Sequence, residues 1–258
     1  MAEIHAKIVG EGECIVLLHG FCETHHIWDK IQSDLSGDYQ VICPDLPGCG
    51  DSFWQMPEFQ LDDVSEILHQ WLTEIGIKKC TMIGHSLGGY IALSFAKKYG
   101  YFLDKVGLFH SSIYDDDNEK KSSRDKTIQF IENNGLEIFV NSFFQNLIFD
   151  TNLADPHISE QLRRLQVRAN LTPVNVVKGY LSAMRDRPDS SEWISLFSSD
   201  ILFIAGVEDM IIPIVKSREQ AKLSEKIIYY EMESVAHMGM IENYEHSLDI
   251  LRKFLLRK

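Results

Sequence analysis

The stretch from Cys80 to Tyr99 constrains the architecture more than any other part of the chain. Cys80-Thr81-Met82-Ile83 is a short, largely apolar run, Gly84-His85-Ser86-Leu87-Gly88 follows it directly, and Tyr90–Tyr99 carries a helical pattern. A strand passes into a helix over so few residues only through a tight turn, where a Cβ at a flanking glycine would clash. Such a turn lifts the Ser86 hydroxyl off the sheet. It also sets beside it the positive end of a helix with its free N–H groups. The turn therefore demands a sheet beneath it and a helix behind it.

Further β-branched apolar runs lie at Cys14–Leu18, Tyr39–Cys43, Val106–Phe109, Ile201–Ala205 and Ile227–Tyr230. Most are continuous rather than alternating, as in strands buried on both faces. Between them, Leu61, Val64, Leu68, Leu72 and Ile75 form one stripe over Leu61–Ile75, and Ser247–Leu256 reads similarly. Strand alternating with helix predicts a parallel α/β sheet with helices on both faces. The 258 residues suit one such domain with room for an insertion.

Residues 111–197 break the rhythm. Asp115-Asp116-Asp117-Asn118-Glu119-Lys120-Lys121 reads as a solvated charge run, and helical stretches follow at Arg124–Asn133, Leu136–Phe149, Ser159–Ala169 and Pro173–Arg185. An ordinary strand-to-helix crossover is far shorter. The segment is read as a helical insertion, with residues 1–110 and 198–258 forming the core domain.

Composition narrows the partners. Apolar residues make up 45% and charged residues 24%, the balance of an ordinary globule, which excludes disorder and coiled coil as the main state. Lys and Arg number 25 against 38 Asp and Glu, a net charge of −13. That field repels phosphate backbones and anionic bilayers, so neither nucleic acid nor membrane is an expected partner. The five cysteines are odd in number with no CxxC pair, which fits free thiols in a reducing compartment. The first residues, Met-Ala-Glu-Ile-His-Ala-Lys, hold no apolar signal region, and a cytoplasmic location is expected. No H-E-x-x-H or metal-spaced carboxylate cluster occurs, so no metal is expected.

A serine hydroxyl is a weak nucleophile and needs a base with an orienting partner. His237, in Ser234-Val235-Ala236-His237-Met238-Gly239, follows the last apolar run and precedes the last helical pattern. Asp209 lies just past Ile201–Ala205, four residues before Pro213, which opens the next helix. Glu208 competes for the acid role, and the spacing to Pro213 favours Asp209. Acyl transfer also needs two backbone N–H groups for the oxyanion. Leu87, after the nucleophile, supplies one. Phe21, in His19-Gly20-Phe21 after an early strand, supplies the other, with the His19 ring left a structural role.

These residues, together with Asp45-Leu46-Pro47-Gly48-Cys49-Gly50-Asp51-Ser52, resemble the α/β-hydrolase superfamily over nearly the whole chain. The resemblance implies a mostly parallel, eight-stranded sheet, a Ser86–Asp209–His237 triad at its carboxyl edge, a helical cap at 111–197, and no cofactor. Cys49 stands where that family's turn commonly has histidine. Ser86 argues against the dehalogenases and epoxide hydrolases of this fold, whose turn carries aspartate.

The expected activity is hydrolysis of a small or medium carboxylic ester, lactone or thioester, with a small molecule as the partner. Other superfamily members cleave carbon–carbon bonds, eliminate, act as cofactor-free haloperoxidases, or bind ligands without turnover. His25, Trp28, Phe143, Met184 and Met238 are candidates for the substrate pocket. His85 is expected beneath the turn, and Arg185-Asp186-Arg187 is expected to form solvated ion pairs.

Overall fold

The computed structural model describes residues 2–56 and 58–257. The strands are β1 Ala6–Val9, β2 Cys14–Leu18, β3 Gln40–Pro44, β4 Cys80–His85, β5 Leu103–Phe109, β6 Ile201–Gly206 and β7 Ile227–Met232. The helices of the first half are α1 Asp29–Leu35, α2 Leu61–Glu74 and α3 Leu87–Tyr99. Between β5 and β6 lie α4 Asn118–Asn134, α5 Leu136–Gln145, α6 Pro156–Ala169, α7 Val174–Asp186 and α8 Ser191–Leu196, and α9 Ile214–Gln220, α10 Gly239–Glu242 and α11 Tyr244–Leu255 close the chain.

Among the described residues the sheet has seven strands in the order β1-β3-β2-β4-β5-β6-β7, all parallel except β1. The resemblance implied eight, and this expectation is corrected. Residues 2–5 do not run alongside β1 as a further strand. Glu3 instead bridges Phe53, and the His5 N–H donates to Ser52 Oγ. β1 itself was missed because Ala-Lys-Ile-Val is an edge strand with no apolar run to mark it.

The central strands are buried on both faces, and β4 and β6 have every residue buried. α2 and α3 pack against each other, with Ser65 Oγ bonded to the carbonyls of Leu61 and Ile91. The chain leaves β2 toward β3 on one side and later enters β4 on the other. This reversal of strand order opens a crevice at the carboxyl ends of β2 and β4. Leu18 faces Gly84 in the parallel register, and Phe21 and Leu87 each follow by three residues. The two loops therefore meet.

The segment between β5 and β6 is helical, as its pattern indicates, but two details differ. The charge run is not merely solvated. Asp117 caps α4 by accepting the Lys120 N–H at 2.9 Å. Asp116 is 1% exposed and binds Arg124 and Arg187. α5 also stops at Gln145 rather than Phe149, because the residues after it leave the helix to bond the His237 loop.

Candidate active site

Ser86 sits at the turn with φ 48° and ψ −113°, a left-handed conformation that costs a non-glycine residue about 1–3 kcal/mol. The surrounding backbone holds it there. Its N–H donates to the Phe109 carbonyl at 3.0 Å, and its carbonyl accepts from Gly89 N at 2.9 Å and Ser111 Oγ at 2.7 Å. A Cβ on Gly84 would stand 2.1 Å from the Gly88 backbone, and one on Gly88 would stand 2.6 Å from Leu18 O. The glycines thus let strand, turn and helix close on one another.

His237 is 2% exposed, and its Nδ1 lies 2.7 Å from Asp209 Oδ2. The other oxygen, Asp209 Oδ1, accepts the N–H groups of Ile211 at 2.8 Å and Ile212 at 2.9 Å. Burial pushes the Asp209 carboxyl up. The charge and hydrogen bond of His237, with His110 and the Ile212 N–H, outweigh it and hold the group below its ordinary value. An ionised Asp209 fixes the proton on Nδ1 and leaves Nε2 as the acceptor. Of the two acids considered, Asp209 is the one bonded to the ring. The Glu208 N–H is tied to Val235 O at 2.9 Å. No hydrogen bond joins Ser86 Oγ to His237 in the resting structure, and such bonds commonly tighten only with substrate in place.

Among the described residues, the backbone N–H groups of Phe21 and Leu87 donate to no protein acceptor, although Phe21 is 7% and Leu87 1% exposed. Buried N–H groups without partners are rare. The Gly20–Phe21 peptide is held in place by its other end. His19 Nδ1 donates to Gly20 O at 2.8 Å, while His19 Nε2 accepts the Leu46 N–H at 2.9 Å. Burial pushes His19 below its ordinary value, so the ring stays neutral in this tautomer.

The proposed pocket residues fall in different places. Phe143, on α5, is half-buried and edge-on to Phe21 with ring centroids 5.7 Å apart, and Phe139 stacks on it at 5.3 Å. Met184 on α7 and Met238 beside His237 are buried. Trp28 is wholly buried, edge-on to Phe109 at 5.5 Å. His25 is bound through its N–H and Nδ1 to Asp45, at 2.8 and 2.9 Å. Arg185 does form exposed pairs with Asp125 and Asp186, but Arg187 does not. It is 7% exposed, binds Asp116 at 2.8 Å and lies over the Tyr90 ring.

Three side chains bonded around the candidate site escaped the sequence reading. Glu23 lies behind the Phe21 loop against His85, at 2.9 Å. His110, at φ 47°, receives the N–H of Gly206 at 3.0 Å and stands 3.9 Å from Asp209. Glu242 accepts four N–H groups, from Ala236 and Met238 on one oxygen and from Phe149 and Asn152 on the other. No spacing rule marks them. The only signal for His110 was its place at the end of a central strand.

Two groups of three side chains, His5–His25–Asp45 and His25–His26–Asp29, have ligand atoms within 4.8 Å of one another. The fold assembles them, and their members already bond each other. A groove of about 1060 Å³ runs between α6 and residues 240–245, and a cavity of about 190 Å³ lies at Tyr90, Ser112 and Arg187. Neither is lined by Ser86, Asp209 or His237. Among the described residues no helix is long and apolar enough to cross a membrane.

A parallel sheet with a glycine-flanked serine turn, and acid and histidine following in that order, defines a class of hydrolases. The family model for the alpha/beta hydrolase fold matches residues 13–244, and the chain belongs to that family. Protein PHYLLO, chloroplastic, of Arabidopsis thaliana is 24% identical over 96% of this chain, which spans only 16% of that protein's length. A thermophilic esterase from Thermogutta terrifontis superposes with a TM-score of 0.91 at 22% identity, covering 98% of this chain and 92% of the esterase. An enol-lactonase from Burkholderia xenovorans LB400 also gives 0.91, at 17% identity, covering 99% and 97%. Identities this low speak for the fold alone.

Proposed function

We propose that the protein is a serine hydrolase that cleaves a small or medium carboxylic ester, lactone or thioester through an acyl-enzyme on Ser86. The observation that carries this reading is the pair of unpartnered N–H groups, Phe21 and Leu87, in matching register on either side of the Ser86 turn. A tetrahedral intermediate places an oxyanion at such a position, and each donor there contributes on the order of 10²–10³ in rate.

Ser86 Oγ attacks the carbonyl carbon as His237 Nε2 takes its proton. Asp209 holds the His237 tautomer and stabilises the imidazolium. The proton passes to the leaving group, the acyl-enzyme forms, and water attacks it with His237 again as base. Structural neighbours that share the fold are named as an esterase and an enol-lactonase. The helices of 111–197 act as the cap, and Phe139 and Phe143 against Phe21 form its apolar wall over the acyl side.

The test is hydrolysis of a p-nitrophenyl ester series, acetate to decanoate, by wild type and Ser86→Ala. Turnover by wild type alone supports the reading, and the preferred chain length sizes the pocket. If no ester turns over above background, ester hydrolysis is overturned and carbon–carbon substrates become the next assay.

A further inference from the structure

Behind the catalytic rim lies a second acid–histidine pair that the mechanism leaves unused. Glu23 is 2% exposed and His85 wholly buried. His85 Nδ1 stands 2.9 Å from Glu23 Oε2, and His85 Nε2 stands 2.8 Å from the His237 carbonyl oxygen. The same Glu23 oxygen accepts the Gly20 N–H at 2.5 Å. A carbonyl oxygen only accepts, so Nε2 carries a proton. An ionised carboxylate also only accepts, so Nδ1 carries one too. With Glu23 ionised, the pair is an imidazolium against a carboxylate, sealed from water.

Its three contacts reach three different catalytic parts. Gly20 directly precedes the Phe21 N–H, His85 directly precedes Ser86, and the accepting carbonyl belongs to the base itself. We propose that Glu23 and His85 are positioning residues that lock the oxyanion loop, the nucleophile turn and the base loop in one register, with Ser86 fully reactive only while His85 holds both ring protons. This rests on the reading of Ser86 as nucleophile.

Burial disfavours the charged form of both groups. Facing charges nevertheless hold the Glu23 carboxyl below its ordinary value, through His85 and His19, and hold His85 above its own, through Glu23, the His237 carbonyl and Asp209. The other titratable rings against His85 are His237, with centroids 5.0 Å apart, and His110, at 6.3 Å. A buried ion pair contributes little net stability compared with apolar packing. Its three contacts give it a different use.

A fluorophosphonate probe reports Ser86 reactivity without any assumption about substrate. Its labelling rate is measured against pH for wild type and Glu23→Gln. The amide keeps the shape but cannot hold a second proton on His85. The expected result is labelling at least about tenfold slower near neutral pH, with the alkaline fall in rate displaced toward neutrality. A merely structural role would lower the melting temperature and leave that profile in place. The ¹⁵N shifts of the His85 ring in wild type read its two protons directly and need no variant. Equal labelling by a folded Glu23→Gln, or a neutral His85 ring near pH 7, overturns the inference alone. Absence of labelling in wild type overturns the Ser86 reading and the inference with it.

Discussion

The carboxyl edge of the sheet and the helices between β5 and β6 are built on different principles. At the Ser86 turn of the edge, position is set by backbone against backbone. Gly84 and Gly88 admit no Cβ, and the Ser86 amide and carbonyl are both bonded. Over the helices, position is set by a few side-chain ties. Arg187 reaches Asp116, Tyr180 Oη donates to Pro47 O at 2.9 Å, and Phe139 and Phe143 lean on Phe21. Backbone contacts fix atoms to tenths of an ångström and tolerate little change. Side-chain ties can be exchanged one at a time. On the proposed mechanism the edge determines which bond is attacked, and the helices determine which molecule arrives.

Four substitutions and one titration would break or sharpen that contrast. Ser86→Ala should lower kcat by roughly 10⁴–10⁶ with the fold intact, measured on the best ester found. Asp209→Asn should cost about 10⁴ in kcat, because the amide no longer fixes the His237 tautomer. A loss below tenfold would mean that another acid serves the base. Asp116→Ala leaves Arg187 buried without its carboxylate and should cost about 3–5 kcal/mol in denaturant unfolding. The active fraction should keep its kcat, and a large kcat loss would show that the two regions are not separable.

The titration concerns the same carboxylate. Burial pushes Asp116 up, but Arg124 and Arg187 hold it below its ordinary value. A depressed carboxyl contributes stability above its unfolded value, about 3.9, and loses it as pH falls through the folded value. The wild-type melting temperature should therefore drop in that acid range, and the drop should be shallower in Asp116→Asn. Identical slopes would place the acid sensitivity elsewhere. The smallest effect belongs to Phe143→Ala, expected to raise KM by about tenfold for longer acyl chains with kcat nearly unchanged. An unchanged chain-length preference would remove Phe143 from the pocket.

The same contrast explains what was legible in the sequence. Parallel strands buried on both faces declare themselves as apolar runs, and the turn at Ser86 has few ways to be built. β1 declared nothing, being a short edge strand. Asp209 and His237 could be chosen because each follows a strand in a fixed order, and the structure brings them to 2.7 Å. Glu23, His110 and Glu242 could not, because each has at least one partner far along the chain: His85 for Glu23, Gly206 for His110, and Phe149 with Asn152 for Glu242. His85 lies 62 residues from Glu23. Asp116 and Arg187 looked solvated for the same reason, since only the folded chain brings them together across 71 positions.

Glu242 marks where the two building principles meet. One of its oxygens holds the backbone on both sides of His237, and the other holds Phe149 and Asn152, while the His237 N–H donates to Leu147 O at 2.9 Å. The helical segment is therefore not a detachable module. A chimera that grafts foreign helices between β5 and β6 inherits a histidine loop with half its lacing cut. A natural lineage that remodels its specificity must keep the stretch around Leu147–Asn152 or replace Glu242 along with it. On the proposed reading, exchange of these helices is a matter of co-inheritance across 93 residues of chain.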